Sequence, residues 1–154
     1  MIEGVVIKPL ERFSDERGWL CEAWRNDESD FQPSMAYISK TEPGAVRGPH
    51  EHKEQSDCFI FTGPGNFRMY LWENREGRLG YRELSTMEVG EDNPCMIMVP
   101  PGVVHGYKCI SKEPGYYVNL PNQLYKGEGK QDAVDEIRWE QEPGAPFKIN
   151  NKIL

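Results

Sequence analysis

All three histidines of the chain lie in two short motifs. His50 and His52 are two positions apart, and His105 follows the turn sequence Pro-Pro-Gly-Val-Val. Because side chains alternate across an extended strand, positions 50 and 52 face the same side. An imidazole titrates near neutral pH, so it can move protons or bind a metal ion. An isolated histidine would be more simply a surface or core residue, but this concentration predicts one functional site.

Two cationic side chains, Arg47 and Lys53, flank the first histidine motif. A guanidinium forms paired, charge-assisted hydrogen bonds with phosphate oxygens, so a small phosphorylated ligand is a suitable partner. The whole chain is acidic, with 18 Lys and Arg against 25 Asp and Glu and a net charge of -7. That balance argues against a positively charged surface that binds the phosphate backbone of DNA or RNA, and we exclude nucleic acid as a partner.

The elements that must position these residues are short strands. The 15 glycines and 12 prolines are spread along the chain and separate compact apolar segments. This spacing is typical of an all-β sandwich or barrel. We predict one all-β domain over residues 1–154 with only minor helix. The predicted strands cover residues 4–7, 19–24, 35–39, 57–62, 66–72, 95–99, 103–110 and 116–120.

The last part of the chain is less regular. Residues 130–139 have room for one helical turn, and residues 140–146 contain two prolines, which predicts a packed but irregular tail. Residues 147–154 form one possible last extended segment.

Apolar runs and cysteines indicate the compartment. No run approaches the ~18 apolar residues of a membrane span, and the first residues lack the pattern of a signal peptide. We therefore expect a cytoplasmic protein without a membrane partner. The four cysteines lack the spacing of a disulfide scaffold, so we expect reduced and mostly buried thiols.

The histidine motifs resemble those of the cupin superfamily, G-x5-H-x-H and P-x-G-x2-H. The matching residues are Gly44, His50, His52, Pro100, Gly102 and His105. The resemblance implies a cupin-type jelly-roll β-barrel. In metal-binding cupins the three histidines and a carboxylate hold the ion, and Asp57 stands near the carboxylate position. Such a set suits iron, manganese or zinc, so a divalent metal is one alternative cofactor.

Four segments resemble, in the same order, motifs of the dTDP-4-dehydrorhamnose 3,5-epimerase family, a branch of the cupins. They are residues 13–22 (FSDERGWLCE), 44–50 (GAVRGPH), 99–107 (VPPGVVHGY) and 135–139 (DEIRW). The resemblance implies a metal-free isomerase that needs no cofactor and acts on a nucleotide-linked 4-keto-6-deoxysugar. It also implies a homodimer and a place in deoxysugar and polysaccharide biosynthesis.

The resemblance assigns binding residues position by position. Arg17, Glu22 and Arg47 match family residues near the nucleotide diphosphate. Tyr37 stands where the family keeps an asparagine, and we include it among the substrate-binding residues. The ligand is then a single nucleotide diphosphate sugar, which a few local cations can hold on an acidic protein.

The resemblance also assigns the catalytic residues. His50 matches the base and Tyr125 the tyrosine acid, while His52 and His105 would hold or polarise the sugar. The chemistry suits these groups, because a C4 ketone acidifies the protons at C3 and C5. An imidazole can remove one of these protons, and a phenol on the other face can return it.

Two departures separate the chain from the family pattern. The family has a lysine where this chain has residues 56–57, Ser-Asp. It also keeps a histidine-supporting aspartate near a longer C-terminus, whereas here only Glu140 and Glu142 follow Trp139. These losses leave open whether one or both carbons are epimerised.

Other functions stay open as well. The sequence Arg-Gly-Pro-His50-Glu-His52-Lys53, with Tyr37 upstream, resembles the dTDP-sugar 3,4-ketoisomerases, in which two histidines move protons between C3 and C4. A metal-dependent cupin enzyme is a second alternative. A non-catalytic protein that binds a sugar nucleotide is the third.

Overall fold

The computed structural model describes residues 1–149, and within that range the chain forms twelve β-strands and two single turns of 3-10 helix. The strands are β1 Val6–Pro9, β2 Phe13–Asp15, β3 Gly18–Leu20, β4 Tyr37–Thr41, β5 Val46–Glu51, β6 Asp57–Phe61, β7 Asn66–Glu73, β8 Leu84–Gly90, β9 Cys95–Val99, β10 Val103–Cys109, β11 Gly115–Asn119 and β12 Ile137–Arg138. The 3-10 turns are Glu128–Lys130 and Trp139–Gln141. The predicted all-β class with minor helix is confirmed.

The strands form two five-stranded antiparallel sheets and a separate hairpin. One sheet has the order β1-β9-β6-β11-β4, and the other has the order β12-β5-β10-β7-β8. The hairpin is β2-β3. Strands that are distant in the chain therefore become neighbours, which is the arrangement expected for the cupin-type jelly roll.

Aromatic side chains fill the space between the two sheets. Phe59 and Phe61 come from one sheet and Phe67 and Tyr107 from the other, and all four are buried. Their rings lie in tilted, stacked or edge-to-face contact with centroids 5.2 to 6.3 Å apart. Each fully buried phenylalanine contributes about 1.5–3 kcal/mol through the apolar surface it removes from water. This aromatic core lies next to the histidines, because Phe59 contacts the ring of His105.

Most predicted strands are confirmed, with small shifts at their ends. The segment predicted at 35–39 forms two residues later, and the one predicted at 19–24 is shorter, as β4 and β3 show. The strands β2, β5, β8 and β12 were not predicted. In β8 the buried or half-buried residues Ser85, Met87 and Val89 alternate with exposed ones, so a two-residue period was present but weak in apolar content.

The tail after Trp139 is packed and irregular, as predicted. Phe147 is buried, and its ring lies 5.7 Å from that of Trp72 and 5.3 Å from that of Trp139. Of the extended segment predicted for 147–154, residues 147–149 form no strand, and 150–154 lie outside the described residues. Within residues 1–149 no helix is long and apolar enough to cross a membrane.

Most of the cysteines are buried, as predicted. Cys58, Cys95 and Cys109 are buried and Cys21 is half-buried, and all four are free thiols. Burial raises the pKa of Cys58 to about 12 and that of Cys95 to about 11. These two thiols stay protonated at neutral pH, which suits packing and not nucleophilic chemistry.

We expect Phe67→Ala to lower the free energy of unfolding by about 3–5 kcal/mol, because the ring is fully buried and its loss leaves a cavity. Urea denaturation followed by tryptophan fluorescence measures the change. The matched control is Leu79→Ala, at a side chain that is 99% exposed, which should change stability by less than about 0.5 kcal/mol. Equal effects of the two substitutions would contradict the placement of the core.

Candidate functional site

Neighbouring strands bring the three histidines together. His50 is on β5, His52 directly follows it, and His105 is on β10, where it pairs in register with His50. The rings of His50 and His105 lie 4.5 Å apart between centroids. A ring nitrogen from each of the three lies within 4.8 Å of the others. The expectation of one histidine cluster is confirmed, and His50 and His52 both line the same cavity.

Two glycines allow β5 and β10 to approach this closely. Gly48 has a φ of 80°, and a Cβ there would lie 2.7 Å from the carbonyl oxygen of His105. A Cβ on Gly106 would lie 2.8 Å from the carbonyl oxygen of Arg47. The β5–β10 register also shifts between His105 and Tyr107, as at a β-bulge. Any side chain at either glycine would therefore push the two histidine-bearing strands apart.

Asp57, the first residue of β6, binds two of the histidines. Its Oδ2 lies 3.1 Å from His52 Nε2 and 3.3 Å from His105 Nε2, and the residue is only 2% exposed. Oδ1 accepts hydrogen bonds from Asn119 at 2.8 Å and Gln55 at 3.0 Å. Burial by itself would raise the pKa of Asp57, but the close contacts of its carboxylate with the His105 and His52 rings outweigh it and hold this pKa far below its usual range. Asp57 is therefore a buried carboxylate anion.

The Nδ1 atoms of His52 and His105 both contact backbone carbonyl oxygens. His52 Nδ1 contacts the carbonyl oxygen of Asp135, and His105 Nδ1 lies 3.0 Å from that of Val103. For His52, burial would lower the pKa, but the hydrogen bond and charge of Asp57 and the carbonyl of Asp135 raise it. The Asp57 carboxylate and the Asp135 carbonyl are both acceptors, which suits a ring that holds protons on both nitrogens. The side-chain amide nitrogen of Gln55 also lies 3.2 Å from His52 Nε2.

His50 has the opposite electrostatic environment. Burial and the neighbouring His105 and His52 lower the pKa of His50 well below its usual value. Its Nδ1 lies 3.9 Å from Glu136 Oε1. The ring is therefore neutral at physiological pH, which is the form that can accept a proton.

Tyr37 extends the polar network across the other sheet. Its hydroxyl oxygen accepts a hydrogen bond from Asn119 Nδ2 at 3.0 Å, and Asn119 also bonds to Asp57. Burial, followed by the neighbouring Tyr117, raises the pKa of Tyr37 far above its usual value. Its hydroxyl therefore stays protonated and can donate a hydrogen bond to a ligand.

A cavity of about 1610 Å³ opens above the histidines. This volume exceeds the ~300–1000 Å³ typical of sites for drug-sized ligands, so it can hold a nucleotide sugar. Its wall includes five of the residues that the sequence assigned to the site, Tyr37, Arg47, His50, His52 and Tyr125. Asp57 and His105 are buried and do not belong to that wall, but both contact histidines that line it.

Two of the assigned binding residues lie elsewhere. Arg17, at the turn of the β2–β3 hairpin, forms an ion pair with Asp15, and Glu22 lies 3.3 Å from Arg25. Among the described residues, the wall of the cavity includes neither Arg17 nor Glu22. Arg47 does line it, held by hydrogen bonds to Thr41 Oγ1 at 3.2 Å and to the carbonyl oxygen of Lys40 at 3.0 Å.

Four polar residues of the site were not predicted from the sequence. Gln55 and Asn119 bind Asp57, and Asp135 and Glu136 contact the histidines. Asn119 carries no sequence signal, because nothing near it shows that β11 lies beside β6. Asp135 and Glu136 did carry a signal, because they are the two carboxylates of the DEIRW segment at 135–139 that resembles a family motif.

The donor atoms also fit a divalent metal. Three histidine nitrogens within 4.8 Å of one another and an adjacent carboxylate suit iron, manganese or zinc. His105 Nε2 is buried without a well-directed hydrogen bond. Nδ1 contacts to backbone carbonyls, as His52 and His105 make, also occur in histidines that bind metal. The competing feature is Asp57, which lies at hydrogen-bond distance from the Nε2 atom of His52.

The two sheets and the histidine-lined cavity define the class, a cupin-type jelly-roll protein. The sequence model of the dTDP-4-dehydrorhamnose 3,5-epimerase family matches residues 1–143. The chain belongs to this family of sugar epimerases, which are isomerases, and the predicted family and enzyme class are confirmed.

Known relatives agree with this assignment. The chain is 33% identical over 145 residues to the spore coat polysaccharide biosynthesis protein SpsL of Bacillus subtilis, covering 92% of this chain and 93% of that protein. It is 37% identical over 127 residues to a probable low-salt glycan biosynthesis epimerase, Agl13, of Haloferax volcanii, covering 80% and 81%. The fold is similar to the dTDP sugar isomerase of Desulfovibrio desulfuricans, with a TM-score of 0.81, 23% identity and coverage of 96% and 91%.

We expect Asp57→Asn to lower the pKa of His52, because the carboxylate that stabilises its protonated form is removed. A pH titration of the histidine ring signals by NMR measures this. Asp27→Asn, which changes an exposed aspartate paired with Arg25, is the control and should leave the titration unchanged. An unaltered His52 titration in Asp57→Asn would show that the two groups are not coupled.

Proposed function

We propose that the chain epimerises a nucleotide-linked 4-keto-6-deoxysugar, as a dTDP-4-dehydrorhamnose 3,5-epimerase does. The observation that carries this proposal is the neutral His50 on the wall of a cavity large enough for a nucleotide sugar. The family match over residues 1–143 supports the sugar and the reaction class.

The substrate would lie with its diphosphate near Arg47 and its sugar near the histidines. Arg47 is a cation on the cavity wall, and a guanidinium suits phosphate oxygens. SpsL and Agl13 are named for polysaccharide and glycan biosynthesis, which supports a role in making a deoxysugar for a surface polymer. Four free cysteines agree with the cytoplasm as the compartment.

The reaction follows from the ketone at C4. His50 takes the proton from C3 or C5, the C–H electrons form the enolate, and O4 carries the negative charge. Tyr125, which also lines the cavity, would then donate its hydroxyl proton to the other face of the carbon. The configuration at that carbon is inverted, and solvent restores the proton on the tyrosine and removes the one on the histidine.

His52 would stabilise the enolate. Asp57 raises the pKa of His52, so this ring holds a proton beside the sugar when O4 becomes negative. Because these groups are mostly shielded from water, their electrostatic effect on the transition state is larger than it would be on the surface.

Incubation with dTDP-4-keto-6-deoxyglucose in deuterated water tests the proposal. We expect deuterium at C3, C5 or both, detected by NMR and mass spectrometry. His50→Asn should slow this uptake by about 10²–10⁴-fold, because it removes the base, while dTDP still binds. Wild-type protein that leaves the sugar unlabelled would contradict epimerisation, and label uptake by His50→Asn at the wild-type rate would contradict the role of His50.

A 3,4-ketoisomerase is the second candidate for the same cavity. It is favoured by the shared face of His50 and His52 and by the protonated hydroxyl of Tyr37. Such an enzyme would convert the same sugar to a 3-keto product. The NMR spectrum of the product distinguishes it from an epimer.

A metal-dependent enzyme is the third candidate, favoured by the buried Nε2 of His105 without a well-directed hydrogen bond. The three histidines and Asp57 would hold the ion. A bound divalent ion would polarise a sugar oxygen as a Lewis acid. Elemental analysis of protein purified without chelator separates this candidate from the other two.

We also propose that the chain forms a homodimer. The β2–β3 hairpin exposes Phe13, Trp19 and Leu20 by 52%, 50% and 61%, which is costly apolar surface for a monomer in water. Sedimentation should give twice the mass of one chain, and replacing Trp19 and Leu20 by serine should shift the protein toward monomer. A monomeric wild-type protein would contradict this part of the proposal.

A further inference from the structure

Glu136 contacts His50 in the interior of the cavity wall. Its Oε1 lies 3.9 Å from His50 Nδ1, and both side chains are only 16% exposed. Within residues 1–149, no other carboxylate lies within 4.0 Å of a ring nitrogen of His50, and the pair becomes an ion pair when His50 is protonated. Because water screens the two groups little, their interaction is stronger than that of a surface pair.

Hydrogen bonds fix the residue before Glu136. The carboxylate of Asp135 accepts backbone N–H groups from residues 53–55 at distances of 3.0, 2.9 and 2.8 Å. Burial would raise the pKa of Asp135, but these three hydrogen bonds outweigh it and lower this pKa. Asp135 therefore stays ionised and anchors the segment against the loop after β5.

The residues after Glu136 are fixed as well. β12 pairs with β5, so that Ile137 lies opposite Glu51 and Arg138 opposite His50. The indole N–H of Trp139 donates to Glu51 Oε1 at 3.1 Å, on the face of β5 opposite the histidines. Held on both sides, Glu136 has little freedom to move away from His50.

Arg138 defines which oxygen of Glu136 faces the histidine. Its Nε lies 2.6 Å from Oε2, while Oε1 is the atom directed at His50. Asp57 cannot take the same role, because its oxygens are bound to His52, His105, Gln55 and Asn119. Two separate carboxylates therefore contact the three histidines: Asp57 contacts His52 and His105, and Glu136 contacts His50.

We propose that Glu136 is the carboxylate partner of His50, a positioning residue that orients the ring and stabilises its positive charge after proton transfer. The inference rests on the proposed function. Apo distances between catalytic partners are often long and shorten during the reaction, so 3.9 Å suits this role.

Glu136→Gln tests the inference, because it removes the charge and keeps the size. We expect kcat for deuterium uptake to fall roughly 10- to 100-fold, less than the ~10⁴-fold loss for a directly hydrogen-bonded partner of a catalytic histidine. KM and the Kd for dTDP should stay within about twofold, since the carboxylate acts mainly when His50 is protonated. The matched control is Glu142→Gln, an exposed residue of the same segment, which should behave as wild type.

A second measurement separates this inference from the proposed function. In ligand-free protein, Glu136→Gln should lower the pKa of His50 in an NMR titration, whether or not the enzyme epimerises the tested sugar. A wild-type protein without deuterium uptake would overturn the proposed function only. Unchanged His50 titration and unchanged kcat in Glu136→Gln would overturn the role of Glu136.

Discussion

A buried carboxylate, Asp57, is the group on which the rest of the site depends. An unpaired charge at 2% exposure would cost several kcal/mol, so the fold must supply partners from several strands. His52, His105, Gln55 and Asn119 are those partners. Through Asn119 the same carboxylate also fixes the hydroxyl of Tyr37. One charge therefore orients two histidines and a tyrosine from both sheets of the barrel.

The same arrangement gives neighbouring histidines different protonation states. Asp57 raises the pKa of His52, whereas burial and the adjacent rings lower that of His50. A cavity wall with a neutral His50 that can accept a proton and a protonated His52 suits the removal of a proton beside a ketone. Glu136 contributes a second carboxylate, placed where it stabilises His50 only after that ring has taken a proton.

The sequence predicted what depends on local pattern. Side-chain alternation placed His50 and His52 on one face, and Gly and Pro spacing predicted most strands of the barrel. It could not predict that Asn119 reaches Asp57, because that contact depends on the pairing of β11 with β6. The loss of the family lysine suggested a weakened site, but the aspartate in its place organises two histidines. Arg17 and Glu22 match the family motif, but they do not line the cavity. The motif alone does not predict where the β2–β3 hairpin lies in the fold.

In the proposed function, the cavity wall that carries Tyr37, His50 and His52 faces the hexose of a nucleotide diphosphate sugar. A crystal structure of His50→Asn soaked with dTDP-4-keto-6-deoxyglucose tests it most directly. We predict a diphosphate hydrogen-bonded to Arg47 and a hexose with C3 or C5 directed at position 50, close to His52 and the hydroxyl of Tyr37. A nucleotide bound outside this cavity, or a hexose turned away from position 50, would contradict the account.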